Sequence, residues 1–254
     1  MPPILVERRG RTAILVLNRP PLNILDLEAL AGLDEAAAAL GGDPGLTLVF
    51  VRGAGARAFS AGVAIGDHRR DRVGAMLDGL HGAIRRLREL PAITIAAIDG
   101  HCLGGGMELA CACDLAIATA DASFGQPEVE LGCFPPVAAA LYPARLGAAR
   151  TLELLLSGRT LDAAEAERLG LVQRLLPSGG LDAGIERLAE ELLAKSAAVV
   201  RLIKRAVRSG AELPFAAALG ATERLYREEL CATADMEEGI AAFLAKRPPL
   251  WRHR

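Results

Sequence analysis

Two glutamates stand out in a stretch of the chain that is otherwise poor in charge. Glu108 ends the segment GGGME at 104–108, and Glu128 follows 20 positions later at the end of FGQPE at 124–128. Burial in apolar surroundings would raise the pKa of both carboxyl groups, and mutual repulsion would favour one proton between them. Such a pair can supply one general acid and one general base.

A plainer interpretation of the two acids is also open. Glu108 can be a first-turn acid that the helix dipole favours, and Glu128 can be a solvated loop residue. The spacing alone does not choose between these interpretations.

The glycine triplet before Glu108 follows a predicted strand and opens a predicted helix. Backbone N–H groups at a helix start lack intrahelical partners and carry partial positive charge, so the triplet indicates an oxyanion or anion site. Tight packing by glycine is the alternative. Neither of the common phosphate-loop patterns, GxxxxGK[ST] or a strand followed by GxGxxG, is matched.

The elements that must position these residues alternate between strand and helix. The apolar, β-branched runs predict strands at 4–6, 12–17, 46–51, 92–98 and 115–118. Helices are predicted at 27–40, where Asp26 can cap the start, at 72–90, and from the glycine triplet to Cys113. This order with short connections predicts an α/β architecture with a mostly parallel sheet.

The character of the chain changes beyond Arg150, where helical patterns dominate around one candidate strand at 171–175. Helices with apolar stripes are predicted at 197–208, 214–230 and 235–245. We therefore divide the chain into a core, 1–195, and a helical region, 196–254. The apolar stripes of the second part must be buried on the core or on another subunit.

Composition excludes several classes of protein. A chain of 254 residues with 52% hydrophobic residues has the length of one large domain and enough apolar material for a core, so it is not disordered. A net charge of −2 disfavours nucleic acid and anionic membrane surfaces as partners. Five cysteines without a C-x-x-C spacing, and no apolar run near the length of a membrane span, predict a soluble cytoplasmic protein.

Other polar residues receive structural interpretations. The spacing of His68, His81 and His101 relative to Cys102, Cys111 and Cys113 matches no zinc motif, so core packing is expected and no metal. Ser60 lacks His and Asp partners in a hydrolase motif. The charges at 67–72 and the pair Lys204-Arg205 are predicted to be solvated.

The same motifs resemble those of the crotonase superfamily, also called the enoyl-CoA hydratase/isomerase family. The resemblance is carried by IDGHCLGGGMELA at 98–110 and FGQPE at 124–128, and it extends to FLAKR at 243–247. It implies a crotonase-like α/β fold, a spiral of ββα units with C-terminal helices that form trimers, commonly paired into hexamers. It also implies an acyl-CoA substrate and no separate cofactor.

The resemblance assigns roles by position. The backbone N–H groups of Val63 and Gly105 would bind the thioester oxygen, Glu108 would activate water, and Glu128 would deliver the proton to carbon. The substrate would lie along Arg57, Ala61, Ile65, Gly66, Gly104 and Phe134. Lys246, or another cation near the C-terminus, would meet a CoA phosphate. These assignments predict an enoyl-CoA hydratase, a lyase. Isomerase or hydrolase chemistry on the same fold and an inactive acyl-CoA-binding or scaffold subunit remain alternatives.

Two departures from the pattern bear on the substrate. Ala64 stands where many relatives carry an acid, and CFPPVAAA at 133–140 replaces the usual glycine-rich run. Prolines stiffen this wall and Phe134 adds apolar surface. In these features the chain is most similar to cyclohexa-1,5-diene-1-carbonyl-CoA hydratases, which suggests a cyclic dienoyl group.

Overall fold

Within residues 1–211 and 213–253, which the computed structural model describes, the chain forms ten strands and ten α-helices. The strands are β1 (Ile4–Arg9), β2 (Thr12–Leu17), β3 (Leu48–Gly53), β4 (Ala58–Ser60), β5 (Ile93–Ile98), β6 (His101–Leu103), β7 (Leu115–Thr119), β8 (Ser123–Gly125), β9 (Thr160–Asp162) and β10 (Arg174–Leu176). The helices are α1 (Leu27–Gly41), α2 (Val73–Glu89), α3 (Gly105–Ala112), α4 (Pro136–Leu146), α5 (Ala148–Ser157), α6 (Ala163–Arg168), α7 (Leu181–Leu193), α8 (Ala197–Gly210), α9 (Phe215–Glu228) and α10 (Ala234–Leu244).

A six-stranded sheet in the order β1-β2-β3-β5-β7-β10 forms the centre of the molecule. Only β1 pairs in the antiparallel sense, through a hairpin in which Gly10 adopts a φ of +58°; the other pairs are parallel. Every residue of β2 is buried, as expected of a strand covered on both faces. The predicted α/β architecture with a mostly parallel sheet is confirmed.

A second sheet, in the order β4-β6-β8-β9, was not predicted. Each of its strands has three residues, too few for a periodic pattern to register. The strands β4, β6 and β8 each follow one long strand of the larger sheet and keep the same order, β3-β5-β7. The chain thus winds as a spiral that adds one strand to each sheet per turn.

The core lies on both faces of the large sheet, because successive side chains of a strand point to opposite sides. Ile95 and Ala97 of β5 join the buried cluster under α7, whereas Ala96 and Ile98 join the larger cluster that contains α1, α2 and α3. The larger cluster connects the two sheets, and it includes Met107 and Leu109, the neighbours of the buried Glu108.

Two predicted boundaries differ from the structure. The strand predicted at 171–175 lies at Arg174–Leu176, because Leu171 and Val172 are buried in the turn that follows α6 instead of pairing with β7. The mainly helical part begins with α4 at Pro136, ahead of Arg150, and it contains the short strands β9 and β10. The region predicted from 196 onward begins with Ser196, whose side chain caps α8 by accepting a bond from Val199 N–H.

Candidate active site

A cavity of about 380 Å³ opens between α2, the start of α3 and the segment 131–136. Most of the predicted site residues line it: Ala61, Val63, Ile65, Gly104, Gly105, Glu108, Glu128 and Phe134. Its remaining walls are mainly apolar and come from Val73, Met76, Leu77, Leu80, Leu131, Pro135 and Pro136. The structure therefore brings the two acids, the glycine triplet and the segment 61–65 to one place.

Two of the predicted substrate-binding residues lie outside this cavity. Gly66 is exposed in a short 3₁₀ helix, and the side chain of Arg57 is exposed in the loop before β4. The carbonyl oxygen of Arg57 accepts a bond from His101 N–H at 3.1 Å. Contact with an adenosyl or phosphate group stays a prediction for both.

Glu108 projects from the first turn of α3 and is 2% exposed. Its Oε1 accepts a bond of 2.9 Å from Ala138 N–H at the start of α4. Burial raises the pKa of Glu108, while the backbone donors of Ala138 and Val137 act in the opposite direction. Glu108 therefore lies in the first turn of α3, as its dipolar interpretation expects, and its carboxylate is also buried against a second helix.

Glu128 lies in the 3₁₀ helix Pro127–Leu131 and is 9% exposed. Burial raises its pKa to about 7; the bond from its own backbone N–H opposes the rise and the charge of Glu108 adds to it. Its Oε1 lies so close to Gly104 that a Cβ placed there would approach it within 2.8 Å. Glu128 is therefore a buried acid that titrates near neutral pH, not a solvated loop residue.

Two backbone N–H groups lie near these acids without backbone acceptors in the described part of the chain. Gly105 is the first residue of α3, where intrahelical partners are absent. Val63 and Leu25 form an isolated β-bridge, but neither of its hydrogen bonds uses Val63 N–H. Leu25 N–H donates to Gly62 O at 3.0 Å, and Ala64 N–H donates to Leu25 O at 3.2 Å. The amides are adjacent, since a Cβ on Gly105 would lie 3.6 Å from Val63 N.

Asn23, which the sequence patterns did not single out, holds the loop between β3 and β4 through its side chain. Its neighbour Leu22 holds the segment that leads to Val63, since Leu22 O accepts a bond of 2.9 Å from Ala61 N–H. Asn23 is fully buried and adopts a φ of +49°. Its Nδ2 donates to Ala58 O at 2.7 Å and to Ala54 O at 3.1 Å, and its Oδ1 accepts from Arg19 N–H at 3.1 Å. The signal that could have found it is an asparagine in a proline-containing break between a strand and a helix, where a side chain that satisfies backbone groups is needed.

Glycine at position 106 is required by close packing. A Cβ there would lie 2.6 Å from Ser60 O and 2.9 Å from Ser60 Oγ. The same hydroxyl accepts a bond of 3.1 Å from Gly62 N–H, which shapes the turn before Val63. Ser60 and Gly106 thus set how closely β4 and α3 approach.

Two charged groups predicted to be solvated are buried. Asp67 forms an ion pair of 2.7 Å with Arg72, and the neighbouring His68 lines the cavity. Lys204 is 8% exposed and lies 2.8 Å from Asp114, because α8 packs against the ends of β5 and β7. The pattern of charges along a helix could not show that Lys204 meets the largely buried carboxylate of Asp114, which lies on a distant segment of the chain.

Metal ligation and membrane crossing find no support in the described residues. No cluster of three or more His, Cys, Asp or Glu side chains among them could hold a metal ion. No helix in residues 1–211 or 213–253 is long and apolar enough to span a bilayer. All five cysteines are free thiols, and Cys102, Cys111 and Cys113 are buried in the core.

Comparison with known proteins places the chain in a family. The sequence model described as Enoyl-CoA hydratase/isomerase matches residues 7–254. The chain belongs to the enoyl-CoA hydratase/isomerase family. It is 38% identical over 249 residues to the cyclohexa-1,5-dienecarbonyl-CoA hydratase of Thauera aromatica, covering 98% of this chain and 96% of that protein.

Two further relatives agree with this assignment. A probable enoyl-CoA hydratase of Mycobacterium tuberculosis is 39% identical over 257 residues, covering 99% of this chain and 98% of the relative. The crystal structure of the enoyl-CoA hydratase of Bacillus anthracis superposes with a TM-score of 0.93 at 30% identity, covering 99% of this chain and 100% of that one. The predicted crotonase-like fold and the predicted enzyme class, a hydratase-type lyase, are confirmed.

Proposed function

We propose that this member of the enoyl-CoA hydratase/isomerase family adds water to the conjugated double bond of an acyl-CoA thioester, or removes it in the reverse direction. One observation carries the proposal: two buried acids and two unpaired backbone N–H groups converge on one apolar cavity. Preorganised donors aimed at a developing negative charge, in a cavity that excludes water, are the arrangement that stabilises an enolate.

In the proposed reaction, the thioester oxygen accepts bonds from Val63 and Gly105 N–H. Glu108 takes a proton from water as the water oxygen bonds to the β carbon, and the electron pair of the double bond moves toward the thioester. Glu128, protonated, then gives its proton to the α carbon. The pKa of about 7 supports this division, because it keeps much of Glu128 protonated at neutral pH. Burial raises the pKa of Glu108 as well, and two backbone N–H groups oppose that rise.

We infer further that the acyl group is cyclic and conjugated. Phe134, 70% exposed at the cavity wall, stands beside Pro135 and Pro136, so this wall offers a rigid apolar surface to a flat ring. The Thauera aromatica relative, named for a cyclic dienoyl-CoA, supports the same choice. The CoA part would pass Ile65, Gly66 and Arg57 toward solvent.

We propose that the chain assembles as a homotrimer, or as a hexamer of paired trimers, through its C-terminal helices. The support is the apolar surface that these helices expose, including Phe215 and Phe243, each more than 80% exposed. A reducing, cytoplasmic location is proposed on the free thiols of all five cysteines.

The proposed reaction can be tested by ultraviolet absorbance, because hydration removes the conjugation of the enoyl thioester. Purified protein is mixed with crotonyl-CoA and, separately, with cyclohexa-1,5-diene-1-carbonyl-CoA, and released thiol is measured in parallel. We expect the absorbance of the cyclic substrate to fall without thiol release, at a higher kcat/KM than that of crotonyl-CoA.

Each other outcome contradicts a stated part of the proposal. Thiol release would indicate a hydrolase, and conversion of a non-conjugated 3-enoyl-CoA without hydration would indicate an isomerase. Binding of both thioesters without any absorbance change would indicate an inactive acyl-CoA-binding subunit. A faster reaction with crotonyl-CoA would overturn the cyclic substrate alone.

A further inference from the structure

A series of buried polar side chains leads from the core to Glu128. Tyr142, on α4, is fully buried, and Gln126, between β8 and the 3₁₀ helix of Glu128, is 2% exposed. The Tyr142 hydroxyl lies 2.7 Å from the side-chain amide of Gln126. The opposite side of that amide faces both carboxylate oxygens of Glu128, each at 3.1 Å.

When Glu128 is ionised, only one orientation of the Gln126 amide satisfies all of these neighbours. With Nε2 toward Glu128, it donates to the carboxylate and lies 3.3 Å from Gly104 O, while Oε1 accepts from the Tyr142 hydroxyl. The reverse orientation would set Oε1 against two carboxylate oxygens, which are acceptors when ionised. The carboxylate oxygens and Gly104 O therefore turn Nε2 toward Glu128, and the Tyr142 hydroxyl, which can donate or accept, donates to Oε1 and holds the amide in this orientation.

Helix α4 acts on both acids of the cavity. Its first turn supplies Ala138 N–H to Glu108, and Tyr142, four positions later on the same face, reaches Gln126. This helix begins in the segment CFPPVAAA that replaces the expected glycine-rich run. The replaced segment therefore carries support for the site as well as a wall of the cavity.

We propose that Tyr142 and Gln126 are positioning residues: Tyr142 fixes the orientation of the Gln126 amide, and that amide holds the Glu128 carboxyl group in the cavity. Neither side chain lines the cavity, so both act through Glu128. The inference rests on the proposed hydratase function and specifies how its acid is oriented.

The groups around this series set the expected direction of its effect. The charge of Glu108, on α3, raises the pKa of Glu128. The thiols of Cys111 and Cys102 lie beside Tyr142. Burial raises the pKa of both thiols, so they stay neutral. The Gln126 amide and the backbone N–H of Glu128 favour the ionised carboxylate. Loss of the amide donor should therefore raise the pKa of Glu128.

The test is a titration of Glu128 that needs no substrate. Protein labelled with ¹³C at the glutamate carboxyl carbon is followed by NMR against pH, and the Glu128 signal is identified by its absence in Glu128→Gln. We expect Tyr142→Phe and Gln126→Leu each to raise the pKa of Glu128 by about one unit. The basic limb of the pH profile of kcat/KM should move by the same amount, and kcat should fall about tenfold with KM little changed.

A matched control and a double variant separate positioning from loss of packing. Tyr226→Phe removes the hydroxyl of the second tyrosine of the chain, which is exposed on α9, and should leave the Glu128 titration unchanged. In the Gln126→Leu background, Tyr142→Phe should add no further shift, because its effect passes through the amide.

An unchanged Glu128 titration in folded Gln126→Leu, or additive shifts in the double variant, would overturn the proposal. If the titration shifts as expected while neither thioester reacts, the positioning inference stands and the hydratase proposal fails.

Discussion

Helices α3 and α9 differ completely in their surroundings although both are rich in apolar residues. Every residue of α3 is buried, because the helix starts at the edge of one sheet and runs into the cluster that joins both sheets. No residue of α9, which lies wholly within the described residues, is buried, and Phe215 at its start is 81% exposed. Apolar composition therefore indicates that a helix has a surface to bury, and the topology decides whether the same chain buries it.

This difference in burial is matched by two cavities with different walls, one apolar and one charged. The cavity around Glu108 and Glu128 has apolar walls, so its acids keep raised pKa values. A larger groove of about 670 Å³ between α8, α9 and the end of α2 is lined by many charged side chains, including the paired residues Arg205 and Glu229. Volume alone would identify the groove as the functional site. The cavity is identified instead by its two buried acids, which form no ion pair within the described residues.

The largest expected effect is on turnover, through the acids of the enclosed region. Replacing Glu128 by Gln should lower kcat by about 10²-fold or more and leave CoA affinity near that of the wild type, because the proton donor is lost while the binding surface is kept. Steady-state kinetics and calorimetry with CoA measure the two quantities. The control, Glu223→Gln on α9, removes an exposed acid and should change neither; equal kcat in both variants would remove Glu128 from the mechanism.

The next largest expected effect is a loss of stability where α8 contacts the large sheet. Lys204 Nζ lies 2.8 Å from both Asp114 Oδ2 and Ala92 O. Burial alone would raise the pKa of Asp114, but Lys204, Thr94 and Arg208 together lower it. Lys204→Met should therefore lower the free energy of unfolding by about 2 to 3 kcal/mol, since it removes a buried cation from the largely buried carboxylate of Asp114, which keeps Arg208 and Thr94 as partners.

The neighbouring arginine is the matched control for this ion pair. Arg205→Met breaks an exposed pair with Glu229 and should cost at most about 0.5 kcal/mol. Denaturant unfolding measures both variants. Equal losses would show that α8 gains as much from its exposed pair as from its buried one, contrary to the packing observed.

A third effect is the pH dependence of stability. The folded-state pKa of Glu128 is about 7, above the value of about 4.3 expected for an unfolded glutamate. Stability from this group is therefore fully present below the unfolded value and is lost as pH rises through about 7. Glu128→Gln should raise the free energy of unfolding at pH 8 by at most about 4 kcal/mol and have little effect at pH 4. A variant that is no more stable than the wild type at pH 8 would contradict the raised pKa.

The smallest expected effect on the stability of a single chain comes from a substitution on α10, near the C-terminus. Phe243 is 82% exposed, so Phe243→Asp should alter the stability of a single chain by about 0.5 kcal/mol or less. If these helices join subunits, the variant should sediment as a smaller species than the wild type. A monomeric wild type, or an unchanged assembly in a variant of each exposed apolar residue on α10, would remove this surface from the proposed interface.

Most strands of the large sheet were predictable because their apolar runs are long enough to be recognised in the sequence. The strands β2, β3 and β5 contain six residues each. They include all of the predicted run 12–17, four of the six positions of 46–51 and six of the seven positions of 92–98. The second sheet was missed because its strands have three residues each and are held by pairing with one another. The burial of Lys204 was missed for a similar reason, since the acid that holds it lies 90 positions earlier in the chain.

The sequence by itself determined which chemical groups are available: two carboxyl groups in an apolar stretch and a glycine triplet at a helix start. It also determined the α/β order of the elements. The tertiary structure alone decided that Gln126 lies between Glu128 and Tyr142, and that Asn23 holds the loop between β3 and β4. These contacts join segments that have no local pattern in common, and burial in the core removes the water that would otherwise satisfy their polar groups.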